Sequence, residues 1–232
     1  MDNILSRKEM EKPYFKYWGK ANPEYPGDPK WHPLVYHSLD VAAVASVWWD
    51  ASTTIQQAFL AAFNFDQAQQ SKLRAWVLFY IAMHDLGKFD LRFQLKAPEA
   101  LAAAWQELTD ENHGISLGEI RKFDHGHAGM AWANREYRKW ISHDDASREI
   151  WSLWNPWLSA VTGHHGDFQL PLYEGLMNIE ADEDLIERDQ FARAEFVLAL
   201  EELFLEPEGL NLQKLPPACS EEAKALLAAC RT

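Results

Sequence analysis

The residues best suited to chemistry in this chain are an adjacent histidine and aspartate, His84 and Asp85, at the end of an apolar stretch. The histidine offers one nitrogen ligand and the carboxylate two hard oxygen ligands, so the aspartate can contact two metal ions. A lone pair of this kind often occurs by chance. Here, however, four further histidines recur around it and predict a metal centre, namely His37, His125, His164 and His165.

Such a centre suits iron, manganese, cobalt, nickel or zinc better than magnesium alone, because neutral imidazoles are its main ligands. Two metal ions about 3.5–4 Å apart would activate a water and clamp both the attacking and the leaving oxygen of a phosphodiester. Asp85 is the natural bridging ligand. Lys88, one turn later, could steady a phosphate or developing charge, although a solvated charge at a helix end is an equal alternative.

Predicted helices must bring these residues together. Pro33 begins a helix in which His37 shares a face with an apolar stripe, and His84 ends a strongly periodic helix that Gly87 stops. His125 begins a helix that continues to Ile141, and the pair at 164–165 ends another. The stripe beside His37 consists of Val41, Val44, Ala45 and Trp48. Helix ends that converge in this way can form a pocket.

The remaining pattern predicts an all-α chain that forms a single domain over residues 1–232. Further helices are expected at 56–63, 98–108, 191–204 and 221–230, whereas residues 22–29 and 109–124 look like loops. No convincing strand pattern is present. There is also no phosphate-binding glycine loop and no dinucleotide fingerprint.

Composition excludes several classes of protein. With 47% hydrophobic residues and 11 tryptophans, the chain is not disordered, and its net charge of −13 argues against broad binding to duplex DNA. The longest apolar run, residues 76–83, is too short to span a membrane, and the N-terminus lacks the apolar core of a signal peptide. A cytoplasmic protein is expected. Cys219 and Cys230 fit neither a zinc knuckle nor a redox pair and are expected to be reduced thiols.

Other roles for the same residues stay open at this point. A single histidine on an apolar face is more often a core residue than a ligand, and His125 could simply cap a helix. The tryptophans fit a core better than a platform for bases, a role for which Trp18 and Trp31 are the candidates. The remaining histidines are expected on the surface or in structural roles, namely His32, His113, His127 and His143.

The order of these residues resembles the HD superfamily of metal-dependent phosphohydrolases, and this resemblance implies that the all-α chain is an HD-domain helical bundle. Four blocks, at residues 37–45, 81–90, 122–126 and 160–166, look like the N-terminal HD nuclease domain of the type I CRISPR effector helicase-nuclease, especially its I-E branch. Residues 17–20 and 215–220 extend the resemblance over nearly the whole chain.

This resemblance implies a nuclease that cuts single-stranded DNA exposed by Cascade, the crRNA-guided surveillance complex, with one or two divalent transition metal ions (Fe, Mn, Co or Ni). It implies that His37, His84 and Asp85 serve one metal, and that Asp85 and the three later histidines serve the other. Asp85 and Lys88 are then the expected catalytic residues.

Two departures from the family pattern qualify this expectation. The helicase is not part of this chain, so no ATP is expected as a cofactor, and a helicase domain would act from another chain or have been removed. The family also has an aspartate in a Ser-x-Ala-Asp-Trp segment where this chain reads residues 226–232. One metal site is therefore expected to be weaker.

These departures leave an alternative from another class, a catalytically impaired decoy that binds Cascade and blocks recruitment of the full effector. A third reading is an HD phosphohydrolase that acts on nucleotides, which the four blocks disfavour.

Overall fold

The computed structural model describes residues 12–22, 24, 26–27, 30–105, 115–141, 148–165, 183–214, 216–218, 220–221 and 225. These residues confirm the all-α prediction. The α-helices are α1 (Leu34–Ala51), α2 (Thr53–Ala62), α3 (Gln70–Ala82), α4 (Leu91–Gln94), α5 (Pro98–Ala104), α6 (Leu117–Lys122), α7 (His125–Trp140), α8 (Arg148–Thr162) and α9 (Glu183–Leu200). Short 3-10 turns occur at Pro13–Lys16, Gln67–Gln69, Leu86–Lys88 and Glu206–Glu208.

Stacked aromatic rings join three of these helices in the main core. The Phe63 ring, just after α2, stacks on Trp157 of α8 at 4.3 Å between centroids. Trp157 in turn stacks on Tyr80 of α3 at 4.9 Å. The indole Nε1 of Trp157 donates to the backbone oxygen of Pro217, which fixes the later chain against the same core. Helices α3 and α8, whose C-terminal ends carry candidate ligands, are therefore held together by their own side chains.

Helix α1 uses a different face from the one that the sequence pattern predicted. Val44 and Trp48 of the predicted apolar stripe are exposed, so their assignment to the core was wrong. The first half of α1 packs instead against α3 and the strand that precedes it. The buried positions of α1 are Leu34, Val35, Ser38, Ala42 and Trp49.

A small antiparallel sheet, absent from the sequence prediction, precedes α1. Strand β1 (Trp18–Ala21) pairs with β2 (Trp31–Pro33), and the register is irregular between Trp18 and Lys20. Strands of four and three residues are too short to show an alternating pattern, which explains why the sequence did not reveal them. Trp18 is buried, as the core interpretation expected, while Trp31 is half-buried.

Two other predictions need correction. The expected loop at 109–124 contains α6, which Ser116 and Glu119 begin with a reciprocal capping box. The last long helix begins at Glu183 rather than near Phe191, and a π-helical turn, Glu201–Leu205, follows it. The helix predicted at 56–63 begins earlier, as α2 (Thr53–Ala62), and the helix predicted at 98–108 is shorter, as α5 (Pro98–Ala104). Residues 106–114 and 166–182, Cys219, Cys230 and most of the predicted helix at 221–230 lie outside the described residues.

The turn that follows α3 packs unusually closely on the first turns of α7. A Cβ added to Gly87 would lie 1.9 Å from the backbone oxygen of His125 and 2.5 Å from the backbone nitrogen of Gly129. Only glycine allows two backbones to approach this closely. This contact places the His84-Asp85 turn directly beside the N-terminal end of α7.

None of the helices in the described part of the chain is both long and apolar enough to cross a membrane.

Replacing Gly87 by alanine should destabilise the protein by about 1–3 kcal/mol or more, because the new methyl group meets backbone rather than a flexible side chain. The free energy of unfolding in urea measures this effect. Gly118→Ala is the matched control, since a Cβ there meets nothing closer than 3.8 Å, and an alanine inside α6 should stabilise by up to about 1 kcal/mol. Equal effects of the two substitutions would contradict the close-packing argument.

Candidate metal centre

Four helix ends supply the candidate ligands. His37 lies in the first turn of α1, the His84-Asp85 pair follows the end of α3, and His125 is the first residue of α7. The pair at 164–165 follows the end of α8. The structure brings all six predicted residues together, and their ligating atoms form two groups, each within 4.8 Å: His37, His84 and Asp85, and His125, His164 and His165.

One oxygen of the Asp85 carboxylate faces the first group. Its Oδ2 lies 3.0 Å from Nε2 of His37 and 3.2 Å from Nε2 of His84. The ammonium of Lys88 is closer still to this oxygen, at 2.7 Å.

The other carboxylate oxygen faces the second group. Asp85 Oδ1 lies 3.2 Å from Nε2 of His125 and 3.7 Å from Nε2 of His164. The imidazole of His165 is one step further out, with its Nε2 2.9 Å from that of His125. Asp85 therefore stands between the two groups and presents a separate oxygen to each.

Backbone carbonyls determine which nitrogen of two imidazoles faces the centre. Nδ1 of His84 lies 2.9 Å from the oxygen of Ile81, and Nδ1 of His164 lies 2.8 Å from the oxygen of Val161. A carbonyl only accepts, so each Nδ1 donates a proton to the backbone and each Nε2 is turned toward the carboxylate. This is the orientation that a metal-binding imidazole requires.

The protonation of the centre also suits a cation. Burial by itself raises the pKa of Asp85, but the imidazoles of His125, His37 and His84 favour the carboxylate more strongly and hold its pKa well below the usual range. Burial lowers the pKa of His164, which keeps its imidazole neutral at pH 7. The carboxylate is thus charged and this imidazole uncharged, as metal ligands must be.

Lys88 is buried, so the alternative of a solvated charge at a helix end was wrong. Its ammonium contacts Asp85 and donates to the backbone oxygen of Gly19 at 2.9 Å, and it lies 5.2 Å from the centre of the Phe93 ring. Burial lowers the pKa of Lys88, and Asp85 partly offsets that effect. A cation held on three sides in this way can assist chemistry at the centre.

The residue types present fit a metal ion. Both oxygens of Asp85 are fully buried and neither has a hydrogen bond of regular geometry within the described residues. A buried carboxylate oxygen without such a partner is costly unless a cation contacts it. The Lys88 ammonium lies beside Oδ2, whereas Oδ1 faces the imidazoles of His125 and His164. Nitrogen and oxygen donors in this ratio favour a divalent transition metal.

Other histidines do not join this cluster. His32 pairs with Asp40 at 2.9 Å on the surface, and His127 lies beside Asp124, the residue that caps α7. His113 and His143 lie outside the described residues.

Sequence reasoning missed two residues beside the centre, Gly19 and Gln94. Gly19 offers the carbonyl that receives the Lys88 ammonium, and the fully buried Gln94 side chain donates to the backbone oxygen of Lys88 at 2.8 Å. The available signal for Gln94 was weak, a glutamine between Phe93 and Leu95, and its role depends on partners distant in sequence, since a buried amide needs several of them.

Asp85→Asn should weaken binding of Mn²⁺ or Co²⁺ by more than about tenfold, because both ligand groups lose their shared charge. Isothermal titration of metal-depleted protein measures the affinity and the number of sites. Asp40→Asn is the control, since it removes an exposed carboxylate that also contacts a histidine. A folded Asp85→Asn protein that binds metal as the wild type does would contradict the assignment.

Comparison with known proteins identifies the family of the chain. The family model described as "Cas3, HD domain" matches residues 18–231. The chain is 38% identical over 216 residues to the CRISPR-associated endonuclease/helicase Cas3 of Escherichia coli (strain K12), and the match covers 88% of this chain and 24% of that protein.

Solved structures share the fold. T. fusca Cas3 with ATP matches with a TM-score of 0.58 at 19% identity, over 94% of this chain and 22% of that one. A structure described as a CRISPR-associated protein matches with a TM-score of 0.60 at 18% identity, over 99% and 23%. This chain spans about a quarter of the length of these relatives. On the family match and the 38% identity, the chain belongs to the family of Cas3 HD domains.

Proposed function

We propose that this domain is a metal-dependent nuclease that hydrolyses phosphodiester bonds of single-stranded DNA. One observation carries the proposal: the buried Asp85 presents one oxygen to the His37–His84 group and the other to the group around His125. The similar Escherichia coli protein is described as an endonuclease/helicase, which supports the same chemistry here.

The candidate ligands would hold two metal ions that share Asp85. His37, His84 and Asp85 would hold one divalent ion, and Asp85, His125, His164 and His165 the other. Bound metal ions of this kind activate a water and stabilise the charge that develops on the phosphate. Lys88 would then place its ammonium beside a phosphate oxygen, with Gly19 holding it in position.

A single strand suits this domain better than a duplex. Its net charge of −13 opposes extended contact with a phosphate backbone. Positive charge occurs instead near the centre, where exposed Lys20 is close enough to Lys88 to help lower its pKa. We propose that Cascade exposes the strand, that a helicase outside this chain feeds it, and that cutting an already exposed strand needs no ATP.

Purified wild-type protein should cut circular single-stranded DNA in the presence of Mn²⁺, Ni²⁺, Co²⁺ or Fe²⁺. Asp85→Ala should lower the rate by at least about a hundredfold, because both metal groups lose their shared ligand. The cutting rate is followed by conversion of circles to linear products on a denaturing gel. Asp40→Ala should cut at the wild-type rate. The proposal would be overturned if the wild-type protein cut the DNA with none of these metals.

An exposed apolar face supports a second function, docking to the Cascade complex. Val44, Val47 and Trp48 are 69%, 69% and 66% exposed and lie on one side of α1. Contiguous apolar surface of this kind is typical of a protein interaction site. A domain that docks without the rest of the effector would occupy the effector's place and act as a decoy.

Excess domain should therefore compete with a full-length effector for Cascade bound to target DNA. Trp48→Glu should weaken this competition by about tenfold or more, because it places a charge in the apolar interface. Asp85→Ala should compete as the wild type does, since Asp85 is 2% exposed and does not form part of the surface. Electrophoretic mobility of the labelled assembly measures the displacement. No displacement by the wild-type domain at saturation would exclude the decoy function.

A further inference from the structure

The side chain of Gln94 acts as a substitute strand partner for β1. Its Oε1 accepts from the backbone nitrogen of Trp18 at 3.0 Å, and its Nε2 donates to the backbone oxygen of the same residue at 3.0 Å. The indole of Trp18 donates in turn to the backbone oxygen of Gln94, also at 3.0 Å. Both residues are buried, so these groups have no access to water as an alternative partner.

The sheet itself cannot supply this partner. The backbone nitrogen of Leu34 donates to the oxygen of Tyr17 at 2.7 Å, so Trp18 and Pro33 form a non-hydrogen-bonded pair, and the N–H and oxygen of Trp18 point to the other edge of β1. The oxygen of Trp18 therefore requires a donor from elsewhere in the fold, which Gln94 provides across 76 positions of sequence.

The same amide also reaches the chemistry-bearing segment. Nε2 of Gln94 donates to the backbone oxygen of Lys88 at 2.8 Å, while the Lys88 ammonium donates to the oxygen of Gly19, the residue after Trp18, at 2.9 Å. Lys88 is thus held at its backbone by Gln94 and at its charged end by β1. Hydrogen bonds and the Trp18–Gly19 peptide bond thus link these four residues in a closed loop. The Lys88 ammonium also contacts Asp85, which lies outside this loop.

Close packing fixes the position of β1 relative to the centre. A Cβ added to Gly19 would lie 2.9 Å from Cα of Leu34 and 3.1 Å from Cβ of His37. The strand therefore rests against the turn of α1 that carries a candidate ligand, and this close packing limits how far its carbonyl can move. A shift of β1 would move the acceptor that aims the Lys88 ammonium.

We infer that Gln94 is a positioning residue of the proposed nuclease: it holds β1 in register, and β1 aims the Lys88 ammonium at the phosphate bound beside Asp85. Gln94 does not contact the substrate and acts through Lys88 alone. The inference rests on the proposed function for its effect on the reaction, but its structural half concerns Lys88 directly and is measurable without any cutting.

A double-mutant cycle tests the effect on the reaction. Gln94→Met keeps the length of the side chain and removes its amide, and it should lower kcat for single-stranded DNA by about tenfold to a hundredfold with little change in KM. In a Lys88→Met background the same substitution should change kcat less than twofold, since the ammonium that Gln94 positions is already absent. An equal loss in both backgrounds would show a merely structural role and overturn the inference.

Lysine labelling tests the structural half without nuclease activity. Acetylation followed by mass spectrometry should find Lys88 much slower to react than exposed Lys20 in the wild type, and nearly as fast in Gln94→Met. Gln94→Glu, which can still accept from Trp18 but not donate, is the second variant if the first does not fold. Lys88 that stays protected in a folded variant would overturn the inference.

The matched control is Gln56→Met. Gln56 also donates its amide to a backbone oxygen, that of Trp49 at 2.8 Å, but far from Lys88. It should change neither kcat nor the labelling of Lys88. If Gln94→Met exposes Lys88 while wild-type protein cuts DNA with none of the metals, the proposed function fails and the positioning role of Gln94 stands.

Discussion

The fold is organised around one buried negative charge, the carboxylate of Asp85. Only 2% of this residue is exposed, and a carboxylate isolated from water costs several kcal/mol or more. The chain offsets that cost by directing imidazoles and one ammonium at its two oxygens from separate parts of the sequence. Because those groups sit at helix ends, the carboxylate can be stabilised only if the ends of α1, α3, α7 and α8 meet.

A second buried network, of hydrogen bonds from α9, fixes the segment that follows Asp85. Arg193 of α9 pairs with both oxygens of Glu136 on α7 and donates to the backbone oxygen of Phe89. Asp189, one turn earlier, accepts from the backbone nitrogen of Leu91 at 2.8 Å. Burial, together with the charge of neighbouring Asp90, raises the pKa of Asp189 to about 7. Helix α9 thus supports the site through backbone contacts and contributes no ligand among the described residues.

The sequence was most informative about residues whose type and spacing alone indicate their role. Histidines spaced along predicted helix ends, and a histidine next to an aspartate, predicted a cluster that the structure does bring together. The glycine after the pair was interpreted as a helix stop. Its larger role, allowing the backbone of α7 to approach, depends on tertiary contact and has no local signal.

The sequence pattern was misleading for apolar residues, which can lie in the core or on an exposed face. The apolar stripe of α1 looked like a core face, yet Val44 and Trp48 are exposed because the small strand β1 and helix α3 cover the other side. Strand β1 itself was missed, since its four residues are too few to show alternation and its outer edge at Trp18 is bonded by a glutamine 76 positions away. Long-range hydrogen bonds of this kind are not encoded in local periodicity.

Charge balance at the centre links the metal to the substrate. Asp85 and Lys88 neutralise each other at 2.7 Å, and an uncharged imidazole such as that of His164 adds nothing to the sum. The chain around them is acidic. On the proposed function, a phosphate therefore finds little positive charge at Asp85 from the side chains beyond that of Lys20, and bound divalent ions must provide the rest. The metal ions would then be needed to hold the DNA strand as well as to cut it. Once they neutralise the carboxylate, the Lys88 ammonium, still held by the oxygen of Gly19, would be available to the phosphate.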